Sequence, residues 1–211
     1  MNQQMMRDVA RLRELAEQGR RLPLLGGRIL ILWGAAIALA SLVQGAVLMG
    51  WIDWPPMAFA GLWAVAMGGA AILGRTGFFA QTRKAGGADL ANRLERAVWS
   101  TGGAFLALMS IAIFVTAMLR MQAGDGGEFF RMFAMMPPAM FGVYALALRT
   151  AAVASDQPSL TPYVWLSLLF AVASVALGWS AAQFVLMGLG ALVVSVLPGM
   201  ALIRLEGRSV G

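Results

Sequence analysis

Three groups of residues in this chain have types and spacings that suit chemistry. The first is a run of thioethers: Met118, Met121, Met132, Met135, Met136 and Met140. Thioether sulfur is a soft ligand that suits Cu(I). Met136 and Met140 lie one helical turn apart, so Met132, Met136 and Met140 are the candidate metal ligands. Methionine also fills irregular apolar gaps, and with 15 methionines in the chain packing is the simpler account. The second group is the polar residues inside apolar runs: Ser41, Gln44, Ser110, Thr116, Tyr144, Gln183 and Ser195. Gln44, Thr116, Gln183 and Arg131 would line an outward-opening polar pocket. The simpler account is that each side chain bonds a neighbouring helix, contributing about 0.6–2 kcal/mol. The third is Pro137-Pro138, placed either to break a membrane span at a transport site or to turn a surface helix into the membrane.

Other chemistry is excluded by inventory. The chain has no Cys and no His, which removes disulfides, structural zinc, iron–sulfur ligation and a His general base. No Gly-rich phosphate loop or nucleophile elbow is present. The ten acidic residues read as belonging to loops and tails. The expectation is therefore no enzyme and no cofactor.

The elements that must position these residues are long and apolar. Ile29 to Met49 is an uncharged run of 21 residues, preceded by Arg20, Arg21 and Arg28 and ended by Trp51-Ile-Asp-Trp54-Pro-Pro. At about 1.5 Å per residue it is long enough to cross a hydrocarbon core of about 30 Å. Further spans read at 57–74, 97–119, 129–148, 162–178 and 181–203. The composition agrees: 60% hydrophobic and 12% charged, against about 25% charged for a soluble domain. The fold class expected is all-α, a polytopic membrane protein of six transmembrane helices arranged as three hairpins. Residues 1–27 form a leader, 28–204 the bundle and 205–211 a tail.

Charge placement sets the orientation. Six basic residues fall in 1–28, five in 75–96, one at Arg149 and two at the end of the chain, Arg204 and Arg208, whereas only Arg120 and Arg131 fall on the opposite side. This bias puts both termini in the cytoplasm. The net charge of +6 then serves topology and attraction to anionic lipid head groups, and nucleic acid is not an expected partner. In the leader, Met5, Val9, Leu12 and Ala16 make one apolar helical stripe among charged residues. It reads as a helix lying on the membrane surface, with docking of a protein partner through residues 1–20 as the sharper alternative.

Small residues recur at helical spacing and predict close helix packing. They are Gly34, Ala38, Ser41 and Gly45 in the first span, Ala60, Ala64 and Gly68 in the second, and Gly103, Ala107 and Ser110 in the third. The fifth has Ser167, Ala171, Ser174 and Gly178, and the sixth Ala191, Ser195 and Gly199. Trp33, Trp99 and Trp165 are spaced by 66 residues, and the Pro55-Pro56 and Pro137-Pro138 segments share a pattern. Three hairpin repeats would account for both, but any six-span chain with short loops has a period near this value, and the second match needs a gap.

The segment LAEQGRRLPLLGGRILILWG, Leu15 to Gly34, resembles the start of small uncharacterised polytopic proteins of Gram-negative bacteria. The resemblance covers about a tenth of the chain and implies a bacterial inner membrane but no activity. The function expected is an accessory, regulatory or scaffolding subunit. The alternative is a small channel or transporter for a neutral or apolar solute.

Overall fold

A computed structural model describes residues 26–55, 58–76, 90–122, 124, 131–178 and 180–208, together with Met6. The expected leader helix, residues 1–27, falls almost wholly outside them. So do residues 209–211 of the tail. The described residues are helical, and no strand occurs among them. The helices are α1 (Gly27–Leu48), α2 (Ala58–Gly74), α3 (Leu90–Gln122), α4 (Met136–Ala154) and α5 (Thr161–Leu177), then α6 (Ala181–Ala191) and α7 (Leu197–Arg208). A π-turn at Leu192–Val196 joins α6 to α7, so these two form one rod. Five rods are long and apolar enough to cross a membrane, as a polytopic membrane protein requires, and α2 is a shorter apolar helix.

Each boundary has a local cause. α1 ends in a Schellman motif: Gly50 takes φ +75°, its N–H donates to the Val47 carbonyl, and the Trp51 N–H donates to that of Ala46. Glycine adopts this left-handed conformation without a Cβ penalty. Pro137 and Pro138 begin α4 rather than breaking it. In the first turn their missing N–H groups would have no partner anyway, and their fixed φ suits the helix. A 3₁₀ turn, Arg131–Met135, precedes them, and the segment long and apolar enough to span, expected at 129–148, is Arg131–Ala154, which contains Arg149. Ser180 caps α6 by accepting a hydrogen bond from the Gln183 N–H. The π-turn sits just before Pro198, whose ring cannot donate to the turn behind it. Widening the helix there relieves that conflict.

α1 and the α6–α7 rod pack face to face in the middle. α2 lies on α1, α5 on α6, α4 on α5 and α3 on α4. Gly27 meets the Gly199 carbonyl and Ile203, and Gly74 meets Ile29 and Leu32, while Gly45 meets Ala181 and Val185. The start of α1 and the ends of α2 and α7 therefore share one end of the bundle, here the Gly26 end. The opposite end holds Gln183.

The stripes expected in the first, fifth and sixth spans are covered. Gly34, Ala38, Ser41, Gly45, Ser167, Ser174, Ala191, Ser195 and Gly199 are buried, and Ala171 and Gly178 half-buried. Those of the second and third are covered only at one end: Ala60 and Ser110 are half-buried, whereas Ala64, Gly68, Gly103 and Ala107 are exposed. α3 turns a face one residue away from the expected one. Asn92, Glu95, Trp99, Gly102, Leu106, Ser110, Ile113 and Ala117 follow at steps of three and four and are all buried or half-buried. The register is set by fit, since Val143 of α4 fills the space beside Gly102, and Leu106 and Ile113 bury more apolar area than Gly103 and Ala107 would. The tryptophans 66 residues apart occupy unlike surroundings. Trp99 packs into the core and Trp165 is exposed.

The centre of the core is aromatic. Phe141 stacks on Phe170 with centroids 5.3 Å apart, and Gly190 is bare where the Phe141 ring passes over it.

Candidate functional site

The buried polar side chains form two groups, one toward each end. Toward the Gly26 end, the π-turn aims Ser195 at α1, where its hydroxyl donates to the Leu30 carbonyl at 2.7 Å. Gly34 makes this approach feasible, since a Cβ there would lie 2.6 Å from that of Ser195. The Tyr144 hydroxyl of α4 pairs with the same serine. Trp99 of α3 meets the Tyr144 ring edge-on, with centroids 4.9 Å apart. One serine and one tyrosine thus tie α1, α3, α4 and the π-turn together. One turn before Trp99 on α3 lies Glu95, and three residues before that Asn92. Both are buried, although the acidic residues were expected in loops and tails.

At the other end, Gln183 of α6 is fully buried. Its Nε2 donates to the Ala134 carbonyl in the 3₁₀ turn and to the Ser174 carbonyl of α5, both at 2.8 Å. Its Oε1 has no hydrogen-bond partner, and neither has the buried Ser41 hydroxyl of α1. Gln44, also on α1, accepts from the Trp63 indole N–H of α2 at 2.7 Å. Trp63→Phe keeps the ring and deletes the donor. It is expected to cost about 0.6–1.7 kcal/mol, read as a lower thermal midpoint in detergent. Trp54→Phe, on the exposed turn after α1, should leave the midpoint unchanged.

The candidates from the sequence are therefore only partly gathered. Gln44 and Gln183 lie on the packed pair α1 and α6, Gln44 bonded to α2 and Gln183 to α5 and the 3₁₀ turn. Thr116 is exposed on α3, off its buried stripe. Arg131 is exposed at the start of the 3₁₀ turn, three residues from the carbonyl that Gln183 holds. The methionines differ in the same way: Met132 is exposed, Met140 is buried in the core, and the Met136 sulfur accepts from the Ser110 hydroxyl at 3.6 Å. Among the described residues no group of three His, Cys, Asp or Glu could hold a metal. Ser195 has no base beside it in the contacts described, and its proton is already given to a carbonyl.

Neither protein-family models, nor curated proteins, nor solved structures contain a match to this chain.

Sequence reasoning missed Glu95, Asn92 and the pairing of Tyr144 with Ser195. A signal for the first two existed. Asn92, Glu95 and Trp99 stand at i, i+3 and i+7, continuing the buried stripe of α3 toward its start.

Proposed function

We propose that this chain is a non-enzymatic protein of a bacterial inner membrane, six times membrane-spanning with both termini cytoplasmic. It serves as an accessory, regulatory or scaffolding subunit of a membrane assembly. The observation that carries this reading is the unequal covering of the small-residue stripes. α1, α5 and α6–α7 bury theirs within the chain, whereas α2 and α3 leave Ala64, Gly68, Gly103 and Ala107 uncovered. Within lipid, helices associate through such small-residue contacts, so these are the faces a second membrane protein would use. The amphipathic leader offers a second contact at the cytoplasmic surface, where basic residues also draw anionic lipids.

Two experiments test this. Affinity purification in mild detergent should recover a stoichiometric partner that is lost on deletion of residues 1–20 or on Gly68→Phe. A chain that purifies alone counts against the reading. A reporter after Arg208, or between Arg83 and Lys84, should be seen from the cytoplasm. A periplasmic signal at either would overturn the topology.

The π-turn, with its buried Ser195 and Tyr144, favours the second reading, a small channel or transporter for a neutral or apolar solute. Interruptions of this kind occur at functional sites. Solute flux into reconstituted vesicles above that of empty ones would support it.

A further inference from the structure

Glu95, near the start of α3, carries a buried carboxyl. It is 1% exposed. Its carboxyl rests on the first turn of α1: a Cβ at Gly26 would lie 2.7 Å from its Cδ and 2.9 Å from Oε2, and closer still to Oε1. Oε2 has no hydrogen-bond partner. Arg96 follows in sequence, yet its buried Nη1 also lacks a hydrogen-bond partner, so the two side chains are not joined through these atoms. Asn92, on the same face, is fully buried.

We propose that Glu95 is a proton-binding site at the Gly26 end of the bundle, taking up one proton on its unpartnered oxygen and releasing it as the pH rises. Two opposed effects make the proton exchangeable. Removal from water disfavours a carboxylate far more than a neutral carboxyl. The N-terminal turn of α1 and the adjacent guanidinium of Arg96 favour the anion. Among the described residues, the basic groups that surrounding elements bring to this end include Arg28 of α1, Arg75 after α2, Arg93 of α3, Arg149 of α4 and Arg204 of α7. All are guanidinium groups, which keep their charge across the accessible range. Asp156, after α4, and Glu206, in the last turn of α7, are the nearby acids by sequence. The protonated carboxyl can stay against Gly26. The ionised one is buried without a hydrogen bond to Oε2, so its release loosens the start of α3 from α1.

The test uses the full chain in detergent. The infrared difference spectrum between mildly acid and mildly alkaline buffer should show the C=O stretch of a protonated carboxyl that disappears on alkalinisation. Glu95→Gln should abolish that band, while Glu206→Gln and Asp156→Asn keep it. The thermal midpoint of the unaltered chain should fall by about 2–4 °C across the same range, and that of Glu95→Gln should not. A band that survives in Glu95→Gln, or equal pH slopes in the two proteins, would overturn the proposal. If Glu95→Gln does not fold, Glu95→Asp withdraws the carboxyl from Gly26 by one methylene. Its band should then titrate at a shifted pH, and an unshifted band would overturn the proposal equally.

Discussion

Gly199→Ala should destabilise the protein in detergent by about 1–3 kcal/mol, the usual cost of forcing a methyl into a filled contact. The cause is the crossing of α1 and α7. A Cβ on Gly199 would lie 2.7 Å from the Gly27 carbonyl oxygen and 2.9 Å from Ile31 Cγ1. The reciprocal Cβ on Gly27 would lie 2.6 Å from the Gly199 carbonyl. Both nearest neighbours are backbone atoms, so no side-chain rotation makes room and the helices themselves must separate. Gly68→Ala is the matched control. A Cβ at Gly68 meets nothing within 4 Å, so the substitution removes backbone freedom without a clash and should stabilise α2 by up to about 1 kcal/mol. Thermal unfolding followed by circular dichroism reads both, and the opposite signs separate local packing from a general dislike of change at glycine. Because the proposed partner face lies on α2, Gly68→Ala should also weaken association while stabilising the chain.

Gln183→Met should cost about 1–3 kcal/mol by loss of two buried hydrogen bonds. Methionine matches the length and flexibility of glutamine, so little volume is lost. What disappears is the amide that clamps the Ala134 carbonyl of the 3₁₀ turn to the Ser174 carbonyl of α5. Those carbonyls then lie buried without these partners. Hydrogen exchange should quicken first at the 3₁₀ turn and the start of α4, which the clamp positions. Thr116→Val is the comparison: its side chain faces outward from α3, and the change should stay within about 0.5 kcal/mol. A large loss from Thr116→Val with none from Gln183→Met would invert the assignment of which polar residues hold the bundle.

The spans were legible because apolar runs and punctuation agree in this chain. Gly50 after α1 and Ser180 at α6 mark ends by known backbone rules, and the structure places helix boundaries at each, whereas Pro137-Pro138, read as interrupting a span from 129, instead begin α4. The register of α3 was not legible. Gly103, Ala107 and Ser110 satisfy the small-residue spacing, yet the packed face holds Gly102, Leu106 and Ser110, because Val143 fills the space beside Gly102 and Leu106 buries more apolar area than Ala107 would. Glu95 was hidden by its company. Arg93 and Arg96 flank it, and a segment so charged reads as water-exposed. Yet successive helical residues point about 100° apart, so one face of that turn can be buried while the next is wet. The residues of the expected pocket, Gln44, Thr116, Gln183 and Arg131, shared an expected depth but not a direction, and direction depends on which helices become neighbours.

The unequal lengths of α2 and α3 carry a consequence for the surrounding lipid. α2 has 17 residues and α3 has 33, or about 25 Å and about 50 Å of helix, beside a hydrocarbon layer of about 30 Å. In the proposed six-span arrangement, acyl chains touching α2 would have to shorten while those along α3 would meet a rod that leans or protrudes, each at a fraction of a kcal/mol per Å of mismatch. The protein thereby puckers its own annulus on one flank. A neighbour with a similarly short helix would relieve that deformation, so bilayer elasticity itself draws company to the side where α2 stands bare.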